Sequence, residues 1–106
     1  PMLWLGGAIK GAKTVDSYCS QSDLAATLLA QLGVSHNDFL LSRDIFSPNP
    51  YKFGYYTFNN GFGVVDATGA TIYDCTTQSV ILEGSAVQEL TGKTMLQSTY
   101  NIIKQL

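Results

Sequence analysis

Charge is what this chain has least of. Asp, Glu, Lys and Arg together make up 13% of its 106 residues, about half the share of an ordinary soluble domain. The six basic residues are scattered. No stripe exists to track a phosphate backbone, which excludes nucleic acid as a partner. There is one histidine, His36, and two cysteines, Cys19 and Cys75. They share no CxxC spacing, and a structural zinc takes about four ligands, so no zinc site is expected. The cysteines permit one disulfide or none and read most simply as two free, half-buried thiols. No apolar run approaches the roughly 18 residues of a membrane span. No signal peptide, GxGxxG or phosphate loop is visible.

The shortage of charge has two readings. Either part of the surface is normally covered by something else, or the surface is polar through Ser, Thr, Asn and Gln. Apolar residues reach 45% and net charge is −2, ordinary for one globular domain or part of one. The chain opens Pro-Met-Leu-Trp without an initiator Met, and reads as starting at a cut inside a longer protein.

The organising stretch runs from Tyr51 to Gly84. Short apolar and aromatic bursts are broken by Asn-Asn-Gly, Asp-Ala-Thr-Gly and Thr-Thr-Gln-Ser, the pattern of an antiparallel meander. Strands are expected at about 51–58, 62–66, 70–75 and 80–83. Asn60-Gly61 supplies the first tight turn. Asp66 to Gly69 supplies the second. Tyr51, Phe53 and Tyr55 share one face of the first strand, Tyr56 and Phe58 the other, so both faces want cover.

Before the meander, Met2 to Leu5 reads as a strand leading into a loop over 7–17. That loop carries Ala8, Lys10, Gly11 and Lys13. Ser20 and Asp23 form a capping box for a first helix, with an apolar stripe of Leu24, Leu28 and Leu32 and a stop at Gly33. Val34 to Pro50 is a long connection. Phe39, Leu40, Leu41, Ile45 and Phe46 are expected to pin it, with one helical turn near Arg43 to Phe46. After the meander, Ser85 and Gln88 cap a last helix, in which Gly92 predicts a kink or break. The fold class is α+β: a leading strand and helix, a four-stranded antiparallel meander and a C-terminal helix.

No catalytic set is complete. A Ser/His/Asp arrangement would need His36, which lies in a polar loop. Asp16, Asp23, Asp38, Asp44, Asp66 and Asp74 are dispersed; Asp23 reads as a cap and Asp66 as a turn former. Tyr55, Tyr56, Phe58 and Phe62 could stack a sugar or base, or pack in a core or interface. Asn59, Asn60 and Tyr56 are the candidates for reaching a ligand from the hairpin tip.

Two passages resemble a known family. PMLWLGG followed by SQSDLAATLLAQLGV is similar to the C-terminal part of sulfatase-like enzymes of the alkaline phosphatase superfamily. There a strand ending in Gly leads to a D-xxTLL-xLG helix. Pro1 to Trp4 match the strand; Gln21 to Leu29 with Leu32-Gly33 match the helix. The later SRDIFSP and YYTFNNGFG and the closing helix most resemble the lipoteichoic acid synthase-like, phosphoglycerol transferase branch.

The resemblance implies a parent enzyme that uses a divalent metal (Mn, Mg or Ca) to cleave or transfer sulfate or phosphate esters. It implies membrane anchoring with the catalytic domain outside the cytoplasm, in the cell envelope or periplasm. Residues 1–50 would end the catalytic domain, and residues 51–106 would form the C-terminal subdomain. No catalytic or metal residue carries over. Cys19 is no formylglycine site, because C-x-[PA]-x-R finds neither Pro nor Ala at Gln21 nor Arg at Asp23. The expected partners are the rest of the parent domain, or a second copy of this chain in a homodimer. The alternative is a free-standing binding or assembly module that uses an aromatic sheet face.

Overall fold

The computed structural model describes residues 2–7, 9–48 and 51–106. Pro1 of the expected strand, Ala8 of the first loop and Asn49-Pro50 of the long connection lie outside them. The architecture is α+β: a four-stranded antiparallel sheet and two α-helices, one before it and one after. The elements are α1 (Leu24–Gln31), β1 (Gly54–Phe58), β2 (Gly61–Asp66), β3 (Gly69–Asp74), β4 (Ser79–Leu82) and α2 (Ala86–Gln105). Strand order follows the chain, β1-β2-β3-β4, as hairpin connections dictate.

The turns fall where the sequence places them, with one shift. Asn59 and Asn60 form the first turn, and Asn60 alone takes positive φ, 59°. Gly61 belongs instead to β2, opposite Phe58. The second turn is Ala67-Thr68, fixed by the Asp66 carboxylate, which accepts from the Thr68 N–H at 2.8 Å. Residues 2–5 form no strand, because no neighbouring strand offers them a ladder. The segment 44–47 is a turn rather than a helix, closed by the Ser47 N–H on the Asp44 carbonyl at 3.1 Å.

One face of the sheet is covered by α2, which lies across β2 and β3. Phe62 and Val64 point into that layer with Phe53, and Tyr55, Tyr73, Cys75, Met95 and Leu96 close around them. α2 runs unbroken through Gly92, contrary to the expected kink. Gly92 is buried against Phe62, and any Cβ there would fall inside the Phe62 ring. The residue is there for close approach, not for bending.

α1 is docked by its other side. Ala26 and Thr27 are buried, while the leucine stripe faces out: Leu24 is 37% exposed, Leu28 45% and Leu32 64%. α1 makes no extended contact with the sheet among the described residues. Of the apolar side chains expected to pin the connection, Phe39, Leu40 and Phe46 are exposed, while Leu41 and Ile45 are half-buried. Hydrogen bonds hold it: the Ala26 N–H to Ser42 Oγ at 2.8 Å, Thr27 Oγ1 to the Arg43 carbonyl at 3.2 Å, and the Ile45 N–H to Thr27 Oγ1 at 3.1 Å.

The outcome is an open molecule. Its accessible surface is 7661 Å², against about 5,800 Å² for a monomer of this mass. Its radius of gyration is 15.3 Å, against about 13 Å for a compact chain of this length.

Candidate functional site

The hairpin tip is set by strand pairing. Tyr56 lies opposite Gly63 and Phe58 opposite Gly61. Both glycines are buried, and a Cβ on Gly63 or Gly61 would strike the Tyr56 or Phe58 ring respectively. Each ring therefore lies against a glycine across the strand, an arrangement that also shields the backbone of β2. The outer side of each ring stays open: Tyr56 is 47% exposed and Phe58 41%. Their centroids are 6.4 Å apart with planes at 40°. Beyond them Asn59 and Asn60 form the exposed tip. The Asn60 carbonyl accepts the Cys75 N–H at 2.7 Å. The structure thus brings all three sequence candidates, Tyr56, Asn59 and Asn60, to one corner. Tyr55 and Phe62, the other aromatics of that group, belong to the opposite face and the core.

The carboxylates are employed elsewhere. Asp23 is buried at the start of α1, where its oxygens accept from the Ser20 N–H at 2.7 Å and the Arg43 N–H at 3.0 Å. Arg43 Nε and Nη2 close a two-pronged ion pair on it at 2.9 and 2.5 Å. Arg43 also donates to the Phe53 carbonyl at 2.8 Å and lies 3.7 Å over the Phe53 ring. The Ser20 hydroxyl accepts the Tyr55 N–H at 2.7 Å, so this cluster welds α1 to the start of the sheet.

Asp66 anchors the other helix. It accepts from Thr68 Oγ1 at 2.6 Å, Gln88 Nε2 at 2.7 Å and Tyr51 Oη at 3.2 Å. The Thr68 hydroxyl, first, and then its backbone and Gln88 hold the Asp66 carboxyl below its ordinary range. Gln88 is fully buried and saturated: it donates to the Gly69 carbonyl at 2.9 Å, and accepts from Thr71 Oγ1 at 2.8 Å and the Ser85 N–H at 3.1 Å.

Among the described residues no group of three or more His, Cys, Asp or Glu side chains comes together. Asp23 and Asp66 have spent their oxygens on Arg43, Thr68 and Gln88. Neither carboxylate is therefore presented as an open metal ligand. Asp74 is held low by the Thr76 backbone N–H and then the Thr77 hydroxyl, which makes it a turn former. His36 is half-buried and offers its carbonyl to the Phe39 N–H at 3.0 Å. Cys19 is exposed, Cys75 half-buried, and both are free thiols. No helix of the described residues is long and apolar enough to cross a membrane.

A groove of about 310 Å³ lies between α2 and the end of β3, lined by Phe62, Tyr73, Cys75, Lys93, Gln97 and Tyr100. Two of its polar groups, Lys93 and Gln97, are already engaged. Lys93 pairs with Glu89 at 2.5 Å and sits 4.5 Å over the Tyr73 ring; Gln97 bonds Asn101 at 2.9 Å. Among the described residues the Tyr55 hydroxyl is buried with no partner, and burial pushes its pKa up.

Two roles escaped the sequence. Arg43 gives no local sign of reaching back to Asp23. Gln88 is visible as a cap partner of Ser85, but not as the hub between Asp66 and Thr71. Compared with protein families, characterised proteins and solved structures, the chain has no match in any of the three.

Proposed function

We propose that this chain is the C-terminal structural portion of a longer, metal-dependent enzyme of the sulfatase or phosphoglycerol transferase kind. The parent hydrolyses or transfers sulfate or phosphate esters and is anchored to a membrane with its catalytic domain outside the cytoplasm. The chain itself supplies cover and scaffold, while nucleophile and metal ligands come from the remainder of the parent.

One observation carries the reading. The leucine stripe of α1 faces outward, on a molecule with about 1,900 Å² more surface than its mass requires. Standard interfaces bury roughly 800 Å² per partner, so the surplus is enough for a large covering body. The charge shortage has the same sense, because α1 carries no charged residue beyond its first-turn partner Asp23.

The coding sequence upstream of Pro1 tests the reading. A Thr-, Ser- or Cys-centred nucleophile motif followed by an Asp-His pair is expected there; a stop codon or an unrelated domain overturns it. The pure chain with added Mn²⁺ should show no aryl sulfatase or phosphodiesterase turnover, because activated nucleophile and metal supply that chemistry together. Turnover by the chain alone would overturn the division of labour.

A second reading is a free-standing binding module. It is favoured by the exposed Tyr56 and Phe58 rings, which no helix of the described residues covers.

A further inference from the structure

We infer that the outer face of the β1–β2 hairpin is a stacking platform for a neutral, β-linked glycan. Tyr56 and Phe58 form its floor, and Asn59 and Asn60 supply its polar end. The inference deepens the second reading and needs no catalytic residue. It also holds for a structural portion of a larger enzyme that leaves this face open.

The rings are preorganised. Tyr56 rests on Gly63 and Phe58 on Gly61, so strand pairing fixes both before any ligand arrives. Aromatic area held in this way costs little further ordering on binding. Each ring stays partly exposed, Tyr56 at 47% and Phe58 at 41%. The 6.4 Å between centroids is a step that two successive sugar rings can span. A pyranose ring of β-gluco type presents C–H groups on its faces and hydroxyls around its rim. The faces suit Tyr56 and Phe58. The rim hydroxyls suit carboxamides, each with both donors and acceptors. No side-chain hydrogen bond of Asn59 or Asn60 to another described residue is present, so both amides are free to orient a ligand.

Charge disfavours an anionic ligand, because Asp74 stands opposite Gly61 on the adjoining strand and the nearby cations are engaged. Arg43 is committed to Asp23, Lys52 to the Ile45 and Ser47 carbonyls, and Lys93 to Glu89. Lys10, Lys13 and Lys104 lie outside the hairpin in sequence. A strand of nucleic acid would find stacking partners for its bases here, but Arg43, Lys52 and Lys93 are not free for its phosphates.

The test is an amide-resolved NMR titration of the 106-residue chain with cellohexaose, and in parallel with a ten-nucleotide oligothymidine. Saturable shifts confined to Tyr56–Gly63 are expected with the glycan. Tyr56→Leu keeps an apolar cover over Gly63 but removes the ring. It should weaken binding about tenfold or more while leaving the α2 resonances in place. Leu90→Ala, on exposed α2 surface, should leave binding unchanged. Four results would each overturn the inference: no saturable shift, shifts that map elsewhere, unaltered binding by Tyr56→Leu, or oligothymidine binding as tightly through the same residues. None of them would bear on whether the parent carries a nucleophile and metal upstream.

Discussion

Replacing Gly92 by Ala separates two accounts of the last helix by sign. On propensity alone the change is favourable, since Gly in a helix interior costs about 1 kcal/mol relative to Ala. A helix free to bend at residue 92 would therefore gain stability. In the structure the new Cβ enters the Phe62 ring. Phe62 is fully buried, stacked on Tyr73 at 5.3 Å and flanked by Tyr55 at 6.1 Å. It has no flexible end to swing aside. Overpacking a tight core costs about 1–3 kcal/mol, and a ring held on both sides belongs at the upper end. The net expectation is a loss of about 2 kcal/mol, or a fall in Tm of about 8 °C for a domain of this size. Thermal and urea unfolding followed by far-ultraviolet circular dichroism read both quantities. Phe62→Leu in the same chain makes room for the methyl, so the double variant should be more stable than the sum of the two singles by at least about 1 kcal/mol. A higher Tm for Gly92→Ala, or strict additivity with Phe62→Leu, would refute the packing argument.

Gln88→Ala should cost about 3 kcal/mol in urea unfolding, because it takes one donor from the buried Asp66, leaves the buried Thr71 hydroxyl without its acceptor and removes half of the Ser85 cap; a loss under about 1 kcal/mol counts against Gln88 as the hub. The Asp66 carboxyl is held below its ordinary 3.8. Its contribution is present above that value and is lost as pH falls through the lowered one, so stability should decline below about pH 3.8 and Asp66→Asn should flatten that acid limb; an unchanged acid limb counts against it. Leu28→Glu should leave unfolding free energy within about 0.5 kcal/mol, as for an exposed position. It should also shift any concentration-dependent association seen by light scattering towards monomer, while a loss above about 2 kcal/mol would place Leu28 in the core.

The local grammar of the chain was legible in its sequence. Ser85 with Gln88, Asp66 before Gly69, and the alternation in 54–74 each specify an element through contacts within a few residues. The helical period of Leu24, Leu28 and Leu32 also marks α1 correctly. It misleads about direction, because a stripe shows that a face wants burial and not that this chain can provide it. Gly92 misleads for a related reason. Its purpose is the Phe62 ring thirty positions back, and spacing along the chain carries no trace of that contact. At the hairpin tip, Asn59 and Asn60 were visible as turn residues and Tyr56 as an aromatic neighbour. The glycine floor that holds the Tyr56 and Phe58 rings emerges only from the register of β1 on β2.

The two helices are attached in different ways, and the difference bears on what α1 is for. α2 has both a buried polar hub, Asp66 with Gln88, and apolar interlocking, Gly92 on Phe62. α1 has only the polar half: Asp23 with Arg43, Ser20 with the Tyr55 N–H, and Thr27 with the connection. Hydrogen bonds fix orientation well but add little net stability each, about 1 kcal/mol. Burying one leucine adds about 1.5–3 kcal/mol. A helix meant only to stabilise this chain would turn its leucines inward. Here the polar contacts hold α1 in one orientation with Leu24, Leu28 and Leu32 aligned outward, so the cost of ordering that row is met before anything covers it. A body docking there would gain the apolar area without organising the surface first.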